Sequence, residues 1–266
     1  MSIDQGIDPI FPTRGRAPDG ATGASDRASQ SAGPVTEKCG QGLTQLQPEH
    51  LPRLTALFRE VFPDNPLSLL GSSFLLALLS SFVSIPATCG YVYFVDGEII
   101  GFVVGTTDSR VYRKELVRRR WPTLLAGVVS ALLRSPALAR PIIAYLTTFP
   151  LFPRDRVPAR NGEPSPVPPA SLIFLGVTRN YRGRGIAAAL TSRFLQHLAD
   201  CQVGKVKLAV GATNERAIRF YEKQGWRVSG CFEVPSGGYA YRLIYNLAGK
   251  ANAALNLARP APTDGS

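Results

Sequence analysis

A chain of 266 residues with 45% hydrophobic and 18% charged side chains can bury a sizeable core, which excludes a wholly disordered protein. Its formal net charge of +11 fits an anionic partner, whether nucleic acid, anionic membrane or phosphorylated small molecule, without choosing among them. Cys39, Cys89, Cys201 and Cys231 form no C-x-x-C pair, and His50 and His197 form no ligand cluster with them, so neither a metal site nor a disulfide scaffold is expected.

Reduced thiols place the chain in the cytoplasm. Residues 1–40 are rich in Gly, Ser, Ala, Asp and Pro, carry the early Asp4 and lack an apolar run. They read as a disordered tail rather than a secretory signal. Residues 250–266, ending in RPAPTDGS, read as a flexible tail. One domain is expected between them, over 41–249.

Within QPEHLPRLTALFREVF, Leu51, Leu54, Leu57, Phe58 and Val61 recur at a helical period, and Pro63 ends the helix. The stretch 66–93 carries no charged residue. LSLLGSSFLLALLSSFVSI is long enough to raise the question of a membrane span. Its serines favour a buried helix instead, with Ser72, Ser73, Ser80 and Ser81 on the wetter side. TCGYVYFVDGEIIGFVVGTTD predicts a hairpin turning at Asp96-Gly97.

Residues 109–169 then read as an insertion. Arg110–Arg120 holds much of the positive charge, and two or three helices, punctuated by Pro122, Pro136 and Pro141, lead to the proline-rich loop NGEPSPVPPA. RRRWPTLLAGVVSALLRSPALAR fits a helical lid on the domain or an interfacial helix at a membrane's inner face; the lid is favoured.

The rest alternates. SLIFLGV is a buried strand. GIAAALTSRFLQHLAD is a helix striped by Ile186, Leu190, Phe194 and Leu198. KVKLAV is a strand, TNERAIRFYEKQGW a helix, and WRVSGCFEV and YAYRLIYNL are final strands. This is an α/β pattern.

Between the first strand and helix of that run lies NYRGRG, a loop suited to a pyrophosphate. Gly183 and Gly185 let the backbone approach an anion, Arg182 and Arg184 add donors, and the helix that follows offers unpaired N–H groups. No Lys-Ser or Lys-Thr follows the glycines, which excludes a P-loop. Gly183, Gly185 and Ala188 match a dinucleotide fingerprint. However, Gly183 lies too far beyond Val177, and the next strand ends in Gly211-Ala212 rather than in an acid.

R-x-x-G-x-A is present as Arg182, Gly185 and Ala187. N-x-x-A-x-x-F-Y-x-x-x-G-W follows as Asn214, Ala217, Phe220, Tyr221, Gly225 and Trp226. Together, over Ser171 to Trp226, they closely resemble the GNAT superfamily of acetyl-CoA-dependent N-acetyltransferases, in a type with a helical insertion after the third strand. The resemblance implies a twisted mixed β-sheet flanked by helices, whose fourth and fifth strands splay to admit acetyl-CoA. It implies that Leu175, Gly176 and Val177 pair with the pantetheine arm, the Val177 N–H also facing the oxyanion. Arg182, Gly183, Arg184, Gly185, Ile186, Ala187 and Ala188 would wrap the pyrophosphate. Asn214 would donate to the pantetheine or cap its helix, and Tyr221 would protonate the departing thiolate.

SLIFLGV and KVKLAV carry no acid where some members hold a glutamate base, and Asp108, Glu115 and Glu233 are weak substitutes, so no base is assigned. The insertion resembles that of members placed with polysaccharide or glycolipid pathways, which suggests an amino-sugar acceptor and leaves a peptide amine or an antibiotic as alternatives. A non-catalytic acyl-CoA-binding module and a membrane-surface protein are the rival readings. Nucleic acid is not an expected partner, because no recognised motif is present and the aromatics are not interleaved with the basic block as a stacking platform needs.

Overall fold

The computed structural model describes residues 41–134, 170–234 and 238–248. Both expected tails and the later part of the insertion, 135–169, lie outside the described residues. Strand β1 (Gln41–Gln45) leads through a 3-10 turn into α1 (Leu51–Val61), α2 (Pro66–Leu69) and α3 (Ser72–Ser84). The hairpin β2 (Thr88–Val95) and β3 (Glu98–Thr106) precedes α4 (Ser109–Arg134). Then come β4 (Ala170–Val177), α5 (Ile186–Asp200), β5 (Lys205–Gly211), α6 (Glu215–Lys223), β6 (Arg227–Glu233) and β7 (Tyr239–Asn246).

The strands form one sheet in the order β1-β2-β3-β4-β5-β7-β6. It is mixed, because β4 and β5 run parallel while the other neighbours are antiparallel. The β2–β3 hairpin turns where expected, with both Asp96 and Gly97 at positive φ, as a tight two-residue turn requires. Strand β1 was not legible in advance: QGLTQ is short and polar, and becomes a strand by pairing with β2 from Gln41–Val95 to Gln45–Tyr91.

The sheet separates two cores. On one face the stripe of α1 packs with α3, the start of α4, Phe102 and Phe174. On the other, Ile186, Leu190, Phe194 and Leu198 of α5 pack on Val103, Leu172 and Val206. Alternation along β3 feeds both: Phe102 and Val104 point to the first core and Val103 to the second.

The uncharged stretch folds as a buried helix pair, broken at Gly71, whose φ is +93°. No helix among the described residues is long and apolar enough to cross a membrane. One detail differs from expectation. Ser81 is buried rather than on the wet side, because its hydroxyl pairs with the Tyr112 hydroxyl of α4 at 3.0 Å, and both residues are fully buried. Ser81 also donates to the Leu78 carbonyl, whereas the Tyr112 hydroxyl has no other hydrogen-bond partner among the described residues. Tyr112→Phe should therefore cost about 1 kcal/mol, and Ser81→Ala, which orphans the phenol, up to about 3 kcal/mol. Urea melts of the two variants would show that order.

The described part of the insertion is a single helix, and Pro136 and Pro141 lie outside the described residues. It runs through Pro122, held before it by buried Tyr112 and Leu116 and after it by Leu124 and Val128 against the same core.

Candidate active site

Strand β4 is paired by β3 along most of its length, from Ser171 opposite Thr106 to Val177 opposite Gly101. On its other side it meets β5 at only two positions, Ala170–Val206 and Ser171–Lys207. Beyond Ser171 the two strands part, and a cavity of about 510 Å³ opens there. Alternate backbone groups of β4 face that gap with no strand opposite them.

Glycine shapes the floor. A Cβ at Gly176 would lie 2.9 Å from both Phe102 and Val61, so only glycine lets the end of α1 press this closely on β4. Val61 and Phe62 thereby reach the cleft lining, beside Asn65. The Phe58, Phe62, Phe102 and Phe174 rings pack with centroids 5.0 to 6.2 Å apart.

One wall is the glycine loop and the first turn of α5. Gly183 and Gly185 have φ of +82° and +80°, a region side-chain-bearing residues rarely occupy. Gly185 is the N-cap of α5, and no side chain caps that end. The N–H groups of Ile186, Ala187 and Ala188 belong to the first helical turn, which has no intrahelical acceptors, and all three residues line the cleft. A Cβ at Gly183 or Gly185 would meet nothing within 4 Å. This end of the cleft is thus an open cradle of backbone donors, suited to an anion.

The opposite wall is α6. Asn214 caps it, its Oδ1 accepting the Ala217 N–H at 3.1 Å, and also lines the cleft. Tyr221, two turns on, is buried yet lines the same cleft. Its ring is held edge-on by Phe220 at 5.1 Å and by Trp226 at 5.6 Å. Burial raises its pKa above the ordinary tyrosine value, so the phenol keeps its proton.

The charge is one-sided. Arg182 donates from Nε to the Val177 carbonyl at 3.1 Å, tying the loop to the end of β4. Its pKa is lowered by burial first, then by the Arg216 and Arg179 cations, with Glu60 opposing. Cations gathered this closely repel one another until an anion joins them. Among the described residues, Arg182, Arg216 and Lys223 line the cleft and no acidic residue does. Nor do these residues contain a group of three or more His, Cys, Asp or Glu able to hold a metal.

Of the residues singled out from the sequence, Leu175, Gly176, Val177, Arg182, Gly183, Gly185, Ile186, Ala187, Ala188, Asn214 and Tyr221 all line this one cleft. Arg184 does not: its guanidinium stacks 5.0 Å over the Tyr181 ring instead. The three acids considered as bases lie elsewhere. Asp108 accepts the N–H groups of Arg110 and Val111 at the start of α4, Glu115 pairs with Arg118 and Arg119, and Glu233 is exposed on β6. Arg216, Lys223, the α1 end (Val61, Phe62) and the α2 cap Asn65 were missed. Arg216 had a signal, since it sits in the first turn of α6 two residues past Asn214, across from the loop.

Residues 142–226 match the model of the Acetyltransferase (GNAT) family, a span that holds both the cradle and Tyr221. Over this span the chain is similar to that family. Its similarity to curated relatives centres on short segments. It is 38% identical over 84 residues to a mycothiol acetyltransferase of Parafrankia sp., covering 29% of this chain and 26% of that protein. An acetyltransferase of Pectobacterium atrosepticum is 38% identical over 64 residues, covering 24% of this chain and 45% of that one. An uncharacterised N-acetyltransferase of Mycobacterium tuberculosis is 44% identical over 50 residues, covering 19% and 32%. The chain thus spans between a quarter and a half of the length of these relatives. The crystal structure of SsHAT shares the fold at a TM-score of 0.51 and 18% identity, over 79% of this chain and 99% of its own.

Proposed function

We propose that the protein is an N-acetyltransferase that moves the acetyl group of acetyl-CoA to a primary amine. The observation that carries this is the parting of β4 from β5 beyond Ser171, which sets an open strand edge, an N–H cradle and a protonated phenol on one cleft. The strand edge at Leu175, Gly176 and Val177 suits the amides of the pantetheine arm. The cradle, with Arg182 and Arg216, suits its pyrophosphate.

In the reaction a neutral amine attacks the thioester carbon. The carbonyl oxygen gains negative charge, and we assign the Val177 N–H as its donor. The C–S bond then breaks, and the thiolate takes the proton held on Tyr221. The amine's surplus proton leaves to solvent, because Asp108, Glu115 and Glu233 stand outside the cleft, and a proton from solvent restores the Tyr221 phenol.

For the acceptor we infer an amino sugar on a phosphate-bearing carrier, handled in the cytoplasm. Support comes from the resemblance that the sequence of the insertion bears to such members, and from the cationic cleft, which repels polyamines and tolerates a phosphate.

Thermal melts with saturating acetyl-CoA, against NAD as control, test the donor. Ligand at about a hundred times its Kd adds roughly 2.7 kcal/mol, a shift of about 5 to 10 °C for a domain this size. No shift with acetyl-CoA would sink the reading. A panel of amino sugars, peptide amines and polyamines tests the acceptor. A shift without turnover of any amine would leave an acyl-CoA-binding module.

A further inference from the structure

The two sides of α4 are chemically unlike. Inward, Tyr112 and Leu116 are fully buried and Leu124 and Val128 pack on the first core. Gly127 lies directly over Phe74, where a Cβ would approach to 2.8 Å. Outward, Val117, Trp121, Leu125, Val129 and Leu133 recur every fourth residue and all stay exposed, from 44% at Val129 to 80% at Leu133. Residues four apart lie one above another on a helix, so these five make a continuous apolar stripe over four turns. A soluble helix normally shows its polar side there.

The charge on the same helix is just as uneven. Arg110–Arg120 holds six cations and one acid, Glu115. That acid is already engaged within the helix, by Arg118 at 2.9 Å and Arg119 at 2.7 Å. Lys114 and Arg118 are exposed and stand three residues before Val117 and Trp121, on the row beside the stripe. The outer surface of α4 is therefore basic at its first half and apolar at its second, with Trp121 at the junction.

An apolar stripe alone would fit any greasy partner. Its union with a cationic row and a boundary tryptophan selects an anionic one with an apolar interior, which describes a lipid surface. We propose that α4 docks the protein peripherally on an anionic bilayer. Trp121, Leu125 and Val129 enter the headgroup boundary, and Lys114 and Arg118 meet lipid phosphates. The contact is peripheral because no described helix can span. It does not depend on the acetyl-transfer reading, since binding is read without substrate.

The full chain is sedimented with vesicles of phosphatidylcholine, alone or mixed with phosphatidylglycerol, at low and high salt. Binding to the mixed vesicles only, weakened by salt, is expected. The chain has two tryptophans, and Trp226 is buried at 2% exposure, so a blue shift on vesicle addition reports Trp121. Lys114→Glu with Arg118→Glu should weaken binding about tenfold or more. Leu125→Glu with Val129→Glu should weaken it about as much and abolish the blue shift. All four side chains are at the surface, and unchanged circular dichroism would show that the variants fold. Four results would overturn the proposal: binding to neither vesicle; equal, salt-insensitive binding to both; glutamate variants that bind like the parent; or a parent dimer that the stripe variant dissolves, which would make the stripe a contact between copies.

Discussion

Tyr221→Phe is expected to lower kcat by about 10²- to 10⁴-fold while leaving the acetyl-CoA melting shift intact. The substitution removes one oxygen and no ring. The contacts to Phe220 and Trp226 are ring contacts, so the packing survives. No protein group among the described residues hydrogen-bonds the Tyr221 hydroxyl, so its loss orphans nothing. What disappears is the proton for the departing thiolate. A drop in kcat with little change in KM is the signature of an interaction made only at the transition state. Equal activity in the two proteins would mean that Tyr221 is a core aromatic, and that solvent protonates the thiolate.

The pH profile follows from the same residue. Burial raises the Tyr221 pKa, so its proton stays in place through and beyond the ordinary tyrosine range near 10. Its protonated, active form therefore sets no falling limb below about pH 10. The rising limb belongs to the amine, which must lose a proton before it attacks. In wild type kcat/KM should climb with pH to a plateau set by the acceptor's own pKa. Acceptors of different basicity should move that limb one for one. A fixed acid limb, common to all acceptors, would reveal a protein base.

Much of this site was legible because its chemistry is local. The glycine loop, the cap at Asn214 and the spacing to Tyr221 each occupy a few consecutive residues, and short spacings fix which side chains share a helix face. What escaped notice depends on distant packing. Val61 and Phe62 reach the cleft only because Gly176 lets α1 settle on β4, a contact between residues more than a hundred positions apart. Arg184 looked equivalent to Arg182, but the first took the face of Tyr181 while the second tied itself to the Val177 carbonyl. Ser81 looked like a surface serine until α4 brought a buried phenol to it. Pro122 looked like a helix break, and packing on both sides overrode it.

Gly185→Trp is expected to abolish the acetyl-CoA shift and raise Kd by a hundredfold or more, with a protein that still folds. Two effects add at this position. At φ of +80° any L side chain is strained, by roughly 1–3 kcal/mol. That lowers the melting temperature by several degrees without unfolding a domain of this size. The indole also projects into the space beside the N–H groups of Ile186, Ala187 and Ala188, where a Cβ meets no protein atom but an anion would sit. The strain is separable from the blockade. Gly97, in the β2–β3 turn, has φ of +77° and equally open surroundings, and it does not line the cleft. Gly97→Trp should thus lose similar stability and keep the full acetyl-CoA shift. Were both variants to lose the shift, strain in the fold would be the cause. Were both to keep it, the loop from Arg182 to Ala188 would not be where the pyrophosphate binds. Loss in Gly185→Trp alone assigns the donor's phosphates to the first turn of α5, and with them the direction in which the acetyl group runs toward Tyr221.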